Sequence, residues 1–399
     1  MNDTPTWSPP AADLAAFGRK ALVVGLIGLA ASLAGWRLAP DAFYRAWLIG
    51  WIWILGVALG AHGVYLVHLL SRGAWGLVVR RLLEAAGRTL PALAVLAIPV
   101  FLGLGSLYPW ADGARVAGDE ILRHRQPWMS VPFALLRLAF YFVIWAGFSL
   151  ALSGLSGRQD EGRDPAATER SMQMLAGPGL VLHILAVSFF SFDFLMSVNA
   201  RWYSTIYGLY VLGGQAISGM ALVILSELLL SSRPPFSGVL QKRHVHDHGK
   251  LLLAFTMLWG YFAISQFLII WSGDLPEEVG FFRDRFAGGW GAVALVIVFL
   301  HFVLPFSLLL SRDLKRDVRK LSSVAALLIV MRWVDLYWLA APAFSPGRFS
   351  FLWVDLAAPV ALGGLWLRLY AGQLASRPLL PLHDPHLPEA IAVPEAHHG

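Results

Sequence analysis

The sequence predicts an all-α integral membrane protein with about ten transmembrane helices. The first observation is composition. Of 399 residues, 57% are hydrophobic and only 14% are charged, against about 25% charged in an ordinary soluble domain. The second is that long apolar runs recur from residue 20 to residue 374. At about 20 residues per crossing, ten of them use roughly half the chain. The third is the absence of cysteine, which excludes disulfides, thiolate zinc sites, iron–sulfur clusters held by this chain and covalent c-type haem. Redox metals acting beside such a protein belong to other chains.

Charged residues and Pro/Gly breaks divide the apolar runs into helices at about 20–38, 44–70, 89–110, 130–155, 173–197, 203–232, 249–272, 288–311, 321–342 and 351–374. The first run, behind Arg19 and Lys20 and ending in ASLAG, has the look of a signal peptide. The long leader before the basic pair and the early start of the next run favour a retained helix. Segments 1–19 and 375–399 flank a membrane domain at 20–374. An even number of crossings puts both termini on one side. The termini and the loops after the second, fourth, sixth and eighth runs hold eighteen Lys and Arg, among them Arg72, Arg80, Arg81, Arg88 and Lys315, and the opposite loops hold eight. That asymmetry predicts cytoplasmic termini. The net charge of +6 then reflects topology and anionic lipid, and no basic stripe interleaved with aromatics points to nucleic acid. From about residue 376 onward the chain is too poor in apolar residues to fold alone, so it is expected to lie as a tail on a neighbour. His397 and His398 sit at its solvated end.

A charge at mid-bilayer costs several kcal/mol by insertion scales, so ionisable residues inside the runs are functional candidates. Toward the periplasmic half lie Asp193 in SFFSFDFLMS and the pair Arg332 and Asp335 in MRWVDLYW, three apart on one helical face. Deeper or toward the cytoplasm lie His62, His68, His183, His301, Glu227 and Lys250. Each has a structural alternative. Arg332 and Asp335 form either a relay element or a buried pair. His183 and His301 either relay protons or donate to a neighbouring carbonyl. His68 and Lys250 read best as side chains snorkelling to the interface, and Glu227 as a hydrated group at the cytoplasmic end. Asp193, between Phe192 and Phe194, is either neutral or needs a partner. Histidines spaced to ligate stacked haems are absent from the runs, so no haem is expected here.

Asp193, Arg332, Asp335, His183, His301, His62 and Glu227 together are expected to line a discontinuous proton path. His changes charge near neutral pH, and a buried carboxylate can be raised into that range. His183 lies ten residues from Asp193, about 15 Å along a helix, so waters or hydroxyls such as Ser188 would bridge them. Glu227 would offer the cytoplasmic entrance.

Four stretches carry a family resemblance: SFFSFDFLMSVNARWYSTIYGLYVLGGQAISG at 188–219, HDHGKLLLAFTMLWGYFAISQFLIIWSGDLPEE at 246–278, HFVLPFSLLLSRDLKR at 301–316 and RWVDLYWLAAP at 332–342, with HDPHL at 383–387 in the tail. They resemble ActF, the shorter of the two ten-span subunits of alternative complex III, within the NrfD-like polysulfide-reductase membrane-subunit superfamily. The likeness covers about residues 170–345, and earlier residues share only the span pattern. It implies two four-helix bundles, spans 2–5 (about 44–197) and 6–9 (about 203–342), with spans 1 and 10 outside. Asp193 and Asp335 then end the last helix of each bundle, as in an internal repeat.

The resemblance further implies a bacterial inner-membrane complex that oxidises menaquinol or ubiquinol. Electrons would pass through iron–sulfur and c-type cytochrome subunits to a cytochrome c or a terminal oxidase. The quinol site is assigned chiefly to the sister ten-span subunit, ActC, which leaves scaffold and proton path to this chain and no metal on it, and the resemblance carries no particular quinone ligand over onto its residues. Two other readings stand beside this one. The first is a stand-alone proton-coupled secondary transporter, against which weighs the shortage of Gly/Pro-broken spans at matching positions. The second is a membrane anchor without transport or redox role.

Overall fold

The computed structural model describes residues 7–392, so His397 and His398 lie outside the described residues. Helices account for the secondary structure, with no strand among the described residues. Ten of them are long and apolar enough to cross a membrane: Ala11–Leu38 (span 1), Pro40–Ser71 (2), Ala74–Leu102 (3), Val131–Asp160 (4), Pro165–Val198 (5), Tyr207–Leu230 (6), Lys242–Gly273 (7), Trp290–Leu310 (8), Val318–Ala343 (9) and Trp353–Ala375 (10). Each matches one apolar run of the sequence. The two ends of the described chain lie on one side, where the Leu379 N–H donates to the Trp7 carbonyl at 2.9 Å. This is called the tail side below, and its opposite the far side.

The third crossing departs most from its sequence reading. It begins at Ala74, not near residue 89, and carries Arg80, Arg81 and Glu84 into the protein, each almost fully buried. Their charges cancel only in the folded protein, so the apolar run alone cannot reveal this turn of helix. The same span breaks into Leu90–Val95 and Ile98–Leu102, each with a proline near its start. The indoles of Trp51 and Trp47 on span 2 donate to the Leu93 and Leu96 carbonyls at 2.8 and 2.9 Å, supplying partners that an apolar medium cannot.

Span 2 packs on spans 3 and 5, and span 5 on span 4. In the second half, span 6 packs on spans 7 and 9, and span 8 lies against spans 7 and 9. These are two four-helix bundles, and they meet where span 2 crosses span 6. Gly219 there lies so close to the Gly60 backbone that a side chain on either residue would collide with the other helix. Spans 1 and 10 pair with each other and lean on span 2. At the far side Arg45 of span 2 holds Asp355 of span 10 at 2.7–3.3 Å, and the Tyr337 hydroxyl of span 9 donates to the same carboxylate at 3.1 Å.

After span 10 the described residues, as far as 392, pack on their own chain. Leu379, Leu380, Leu387 and Ala390 are buried, and Asp384 reaches Arg80 at 2.8 Å. A few spaced apolar side chains and one buried ion pair suffice because the helix ends below already present a packed surface.

Candidate functional site

The polar groups inside the membrane domain fall into one series per bundle. In bundle one, the tail-side end is a buried ionic cluster. Arg80 Nε and Tyr65 Oη donate to Glu84 Oε1 at 2.9 and 3.0 Å, and Arg81 Nη1 donates to Glu84 Oε2 at 2.8 Å. Arg80 Nη1 also reaches Asp384, and Arg81 Nη2 binds both oxygens of Asp160 at the end of span 4. The Ser156 hydroxyl donates to Glu84 at 2.7 Å. Buried charges persist when each finds an opposite charge and a hydrogen bond, as every ion does here.

Three residues before Tyr65, His62 faces His183 of span 5 with ring centroids 5.5 Å apart and planes at 70°. Both imidazoles are buried, and none of their four ring nitrogens has a partner among the described residues. Gly63 makes room for the second ring: a Cβ there would lie 2.9 Å from His183 Nε2.

At the far end of span 5, Asp193 has the partner its position demanded. Arg137 of span 4 donates to its two oxygens through Nε at 2.8 Å and Nη2 at 2.9 Å. Tyr141 Oη adds a donor at 2.8 Å and Trp128 Nε1 another at 3.0 Å. The guanidinium lies 4.3 Å from the Trp128 ring centroid and 4.5 Å from that of Phe133. With four donors the carboxylate is saturated, a fixed counter-ion rather than a free acceptor.

In bundle two, Arg332 and Asp335 form the ion pair that their spacing suggested, and the Tyr210 hydroxyl of span 6 donates to the other Asp335 oxygen. Gly214 of span 6 leaves the space that the Arg332 guanidinium fills. His301 lies in a π-helical stretch, Ile297–Val303, just before Pro305. Its ring sits 4.1 Å from the Trp259 ring, and both its nitrogens lack a partner among the described residues. Such wide turns recur at functional sites. Toward the tail side, Glu227 Oε1 and His248 Nδ1 stand 2.7 Å apart, at ion-pair distance but off the line of a hydrogen bond, and His248 Nε2 meets the Trp75 carbonyl at 2.8 Å.

The structure therefore brings together His62 with His183 and Arg332 with Asp335. It separates Asp193 from the second pair, since each belongs to its own bundle. Glu227 is fully buried against His248, so it is not the hydrated entrance that its place in the sequence suggested. His68 does not snorkel either. It is buried, its ring edge-on to Trp75 at 5.2 Å, whereas Lys250 is exposed and pairs with Asp247. Sequence reasoning missed Arg137, although a lone arginine in PFALLRLAFYF was a visible signal, and it missed Arg45, Glu84, His248, Asp355 and Asp384.

The chain matches no family model and no curated protein.

Proposed function

We infer that this chain is the shorter ten-span membrane subunit of a quinol-oxidising electron-transfer complex of the alternative complex III type, set in a bacterial inner membrane with its tail side in the cytoplasm. On this reading it provides scaffold and a proton path beside a sister ten-span subunit that oxidises menaquinol or ubiquinol. Iron–sulfur and c-type cytochrome subunits carry the electrons to a cytochrome c or a terminal oxidase. The sequence stretches that resemble ActF support the complex, and the buried ladder in bundle one supports the path.

The observation that carries the proton role is the His62–His183 pair: four unpartnered ring nitrogens between an ionic cluster on one side and the Arg137–Asp193 clamp on the other. A free imidazole changes charge near neutral pH and a buried one does so when water or a partner reaches its ring, whereas a carboxylate held by an arginine stays charged until that arginine moves. The two histidines are thus the hub, and Asp193 is the far-side gate, receptive only when Arg137 or Tyr141 releases it. His301 and the Arg332–Asp335–Tyr210 group form a shorter series of the same kind in bundle two.

Purification through an N-terminal tag tests the complex. Haem-bearing and iron–sulfur chains with quinol-oxidising activity should come with the protein. A chain that emerges alone and moves a solute on a proton gradient would establish the transporter reading instead. In liposomes holding the complex, His183→Leu should preserve quinol oxidation and abolish the accompanying proton uptake. Unchanged uptake would remove the path from this chain.

A further inference from the structure

The tail side of bundle one holds a cavity of about 380 Å³, walled by His68, Arg72 and Arg80, by Glu169 of span 5, and by Asp384 and Glu389 of the C-terminal segment. By liquid volume it has room for about a dozen waters. Its wall is charged, whereas the cavities between span 10 and its neighbours are lined by Phe17, Trp53, Val360 and Leu367 and face lipid. At its inner end His68 is buried with Nδ1 unpartnered among the described residues. One step further the Arg80–Glu84–Tyr65 contacts begin, and these lead to His62 within one helical turn.

The C-terminal segment partly roofs this half-open cavity from two anchors on different bundles. On bundle one, Asp384 takes the Arg80 guanidinium, and Asp160 accepts the Leu382 N–H at 3.0 Å. On bundle two, the Ala390 carbonyl accepts from Arg243 at 2.7 Å and meets His244 Nε2 at 3.0 Å, and the Ile391 carbonyl accepts from Gln241 at 2.9 Å. Between the anchors, Leu387 is buried where the short helix Leu387–Ile391 packs on span 3, and the one ionic approach to bundle one is His386, 3.5 Å from Glu169. The charges make the first anchor special. Arg80 and Arg81 balance Glu84 and Asp160, and Asp384 adds one negative charge in excess when all are ionised. The roof therefore contributes the one member that the cluster does not need for its own neutrality.

We propose that residues 379–392 are a lid over the tail-side mouth of the bundle-one ladder, latched by Asp384 on Arg80, and that protons enter beneath it in place of the closed Glu227 site. The lid rests on the proton-path reading for its purpose, but not for its existence. In the open state Asp384 leaves Arg80, the cluster stays neutral, and bulk water reaches the inner end of the cavity beside His68 and Glu84, both buried in this structure. Asp384 is a positioning residue that acts through Arg80.

The chain contains no cysteine, so a single introduced thiol reports access without background from this subunit. Leu77→Cys places one in the cavity wall. In vesicles carrying the whole complex, a membrane-impermeant maleimide added on the tail side should label it slowly. Asp384→Asn, which weakens a charge-assisted bond, should accelerate labelling by at least about tenfold. Arg243→Leu, which weakens the other anchor without touching the cluster, should accelerate it too, and it keeps the test open where Asp384→Asn does not assemble. Equal labelling rates in parent and variants would overturn the lid. Cross-linking Glu169→Cys to His386→Cys with a short bis-maleimide should hold the lid shut and stop proton uptake while quinol oxidation starts normally. Faster labelling in the variants together with full uptake in the cross-linked complex would overturn its role as the entrance. A complex in which even the parent takes up no protons would sink the proton-path reading, and the labelling rates would still decide whether the lid exists.

Discussion

Each bundle buries one arginine–aspartate pair toward the far side, and the two are built on opposite principles. Arg137 and Asp193 sit on different helices, 56 residues apart, and meet in a two-pronged bond reinforced by Tyr141 and Trp128. Arg332 and Asp335 sit three apart on one helix, and span 6 adds the Tyr210 hydroxyl on Asp335 and a 3.4 Å bond from Arg332 to the Val211 carbonyl. The first pair exists only after spans 4 and 5 have packed, so it joins two helices. The second can form as soon as span 9 is helical, which lowers the cost of placing both charges in the membrane before any neighbour arrives. The same two residue types thus act as a tertiary clamp in one bundle and as a local neutralising pair in the other.

That contrast is most exposed to removal of the arginine. Arg137→Leu leaves Asp193 buried without its cation and should destabilise the protein by about 3–5 kcal/mol, seen as a lowered midpoint of thermal unfolding of the purified complex. Restoring neutrality with Asp193→Leu in the same chain should recover much of the loss, because a buried pair can be replaced by apolar side chains at little cost. Arg332→Leu should lower the midpoint less, since Asp335 keeps its Tyr210 donor and only the long 3.4 Å bond from Arg332 to the Val211 carbonyl of span 6 is lost between helices. An equal or larger loss at Arg332 would erase the distinction between clamp and local pair.

The histidines invert the expectation. His62 and His183 bury nitrogens that bond to nothing among the described residues, and a buried polar group without a partner is destabilising. The double variant His62→Leu with His183→Leu should therefore unfold within about 1 kcal/mol of the parent, even though proton uptake is lost. A loss as large as that of Arg137→Leu would show that the imidazoles hold the bundle together, which would make their role structural.

How much of this was legible in the sequence follows the same line between local and tertiary. The ten crossings could be read because each is a local apolar run, and the Arg332–Asp335 contact because spacing alone puts the two on one face. The partner of Asp193 could not, because contact between spans 4 and 5 depends on how each helix is rotated. The start of span 3 was misread for a related reason. Arg80, Arg81 and Glu84 look like a loop until Asp160 and Asp384, from distant parts of the chain, pair with the arginines. Glu227 looked hydrated by its nearness to a helix end, but His248 of span 7 and Trp75 at the start of span 3 close over it. The tail looked unable to pack by composition, and composition says nothing of the surface offered to it.

The smallest expected effect comes from a pair outside the membrane, and it sets the scale for charge without burial. On the far side, Arg201, in the connection between the bundles, donates to Asp119 Oδ2 at 2.7 Å, and Arg201 is largely exposed. That hydrogen bond, with the Leu122 and Ile121 N–H groups capped by the same carboxylate, holds Asp119 below the ordinary carboxylate range. A folded-state value below the unfolded one means stability that is present above the unfolded pKa and fades as pH falls through the folded one. Asp119→Asn keeps an acceptor for the helix cap and removes the charge. At neutral pH its unfolding midpoint should fall below the parent's by no more than about 2 °C. The gap should close in acid and in 1 M salt, where the Debye length is about 3 Å. A gap at neutral pH as wide as that of Arg137→Leu would mean that burial is not what separates the clamp from an ordinary surface pair, and the contrast between the bundles would lose its physical basis.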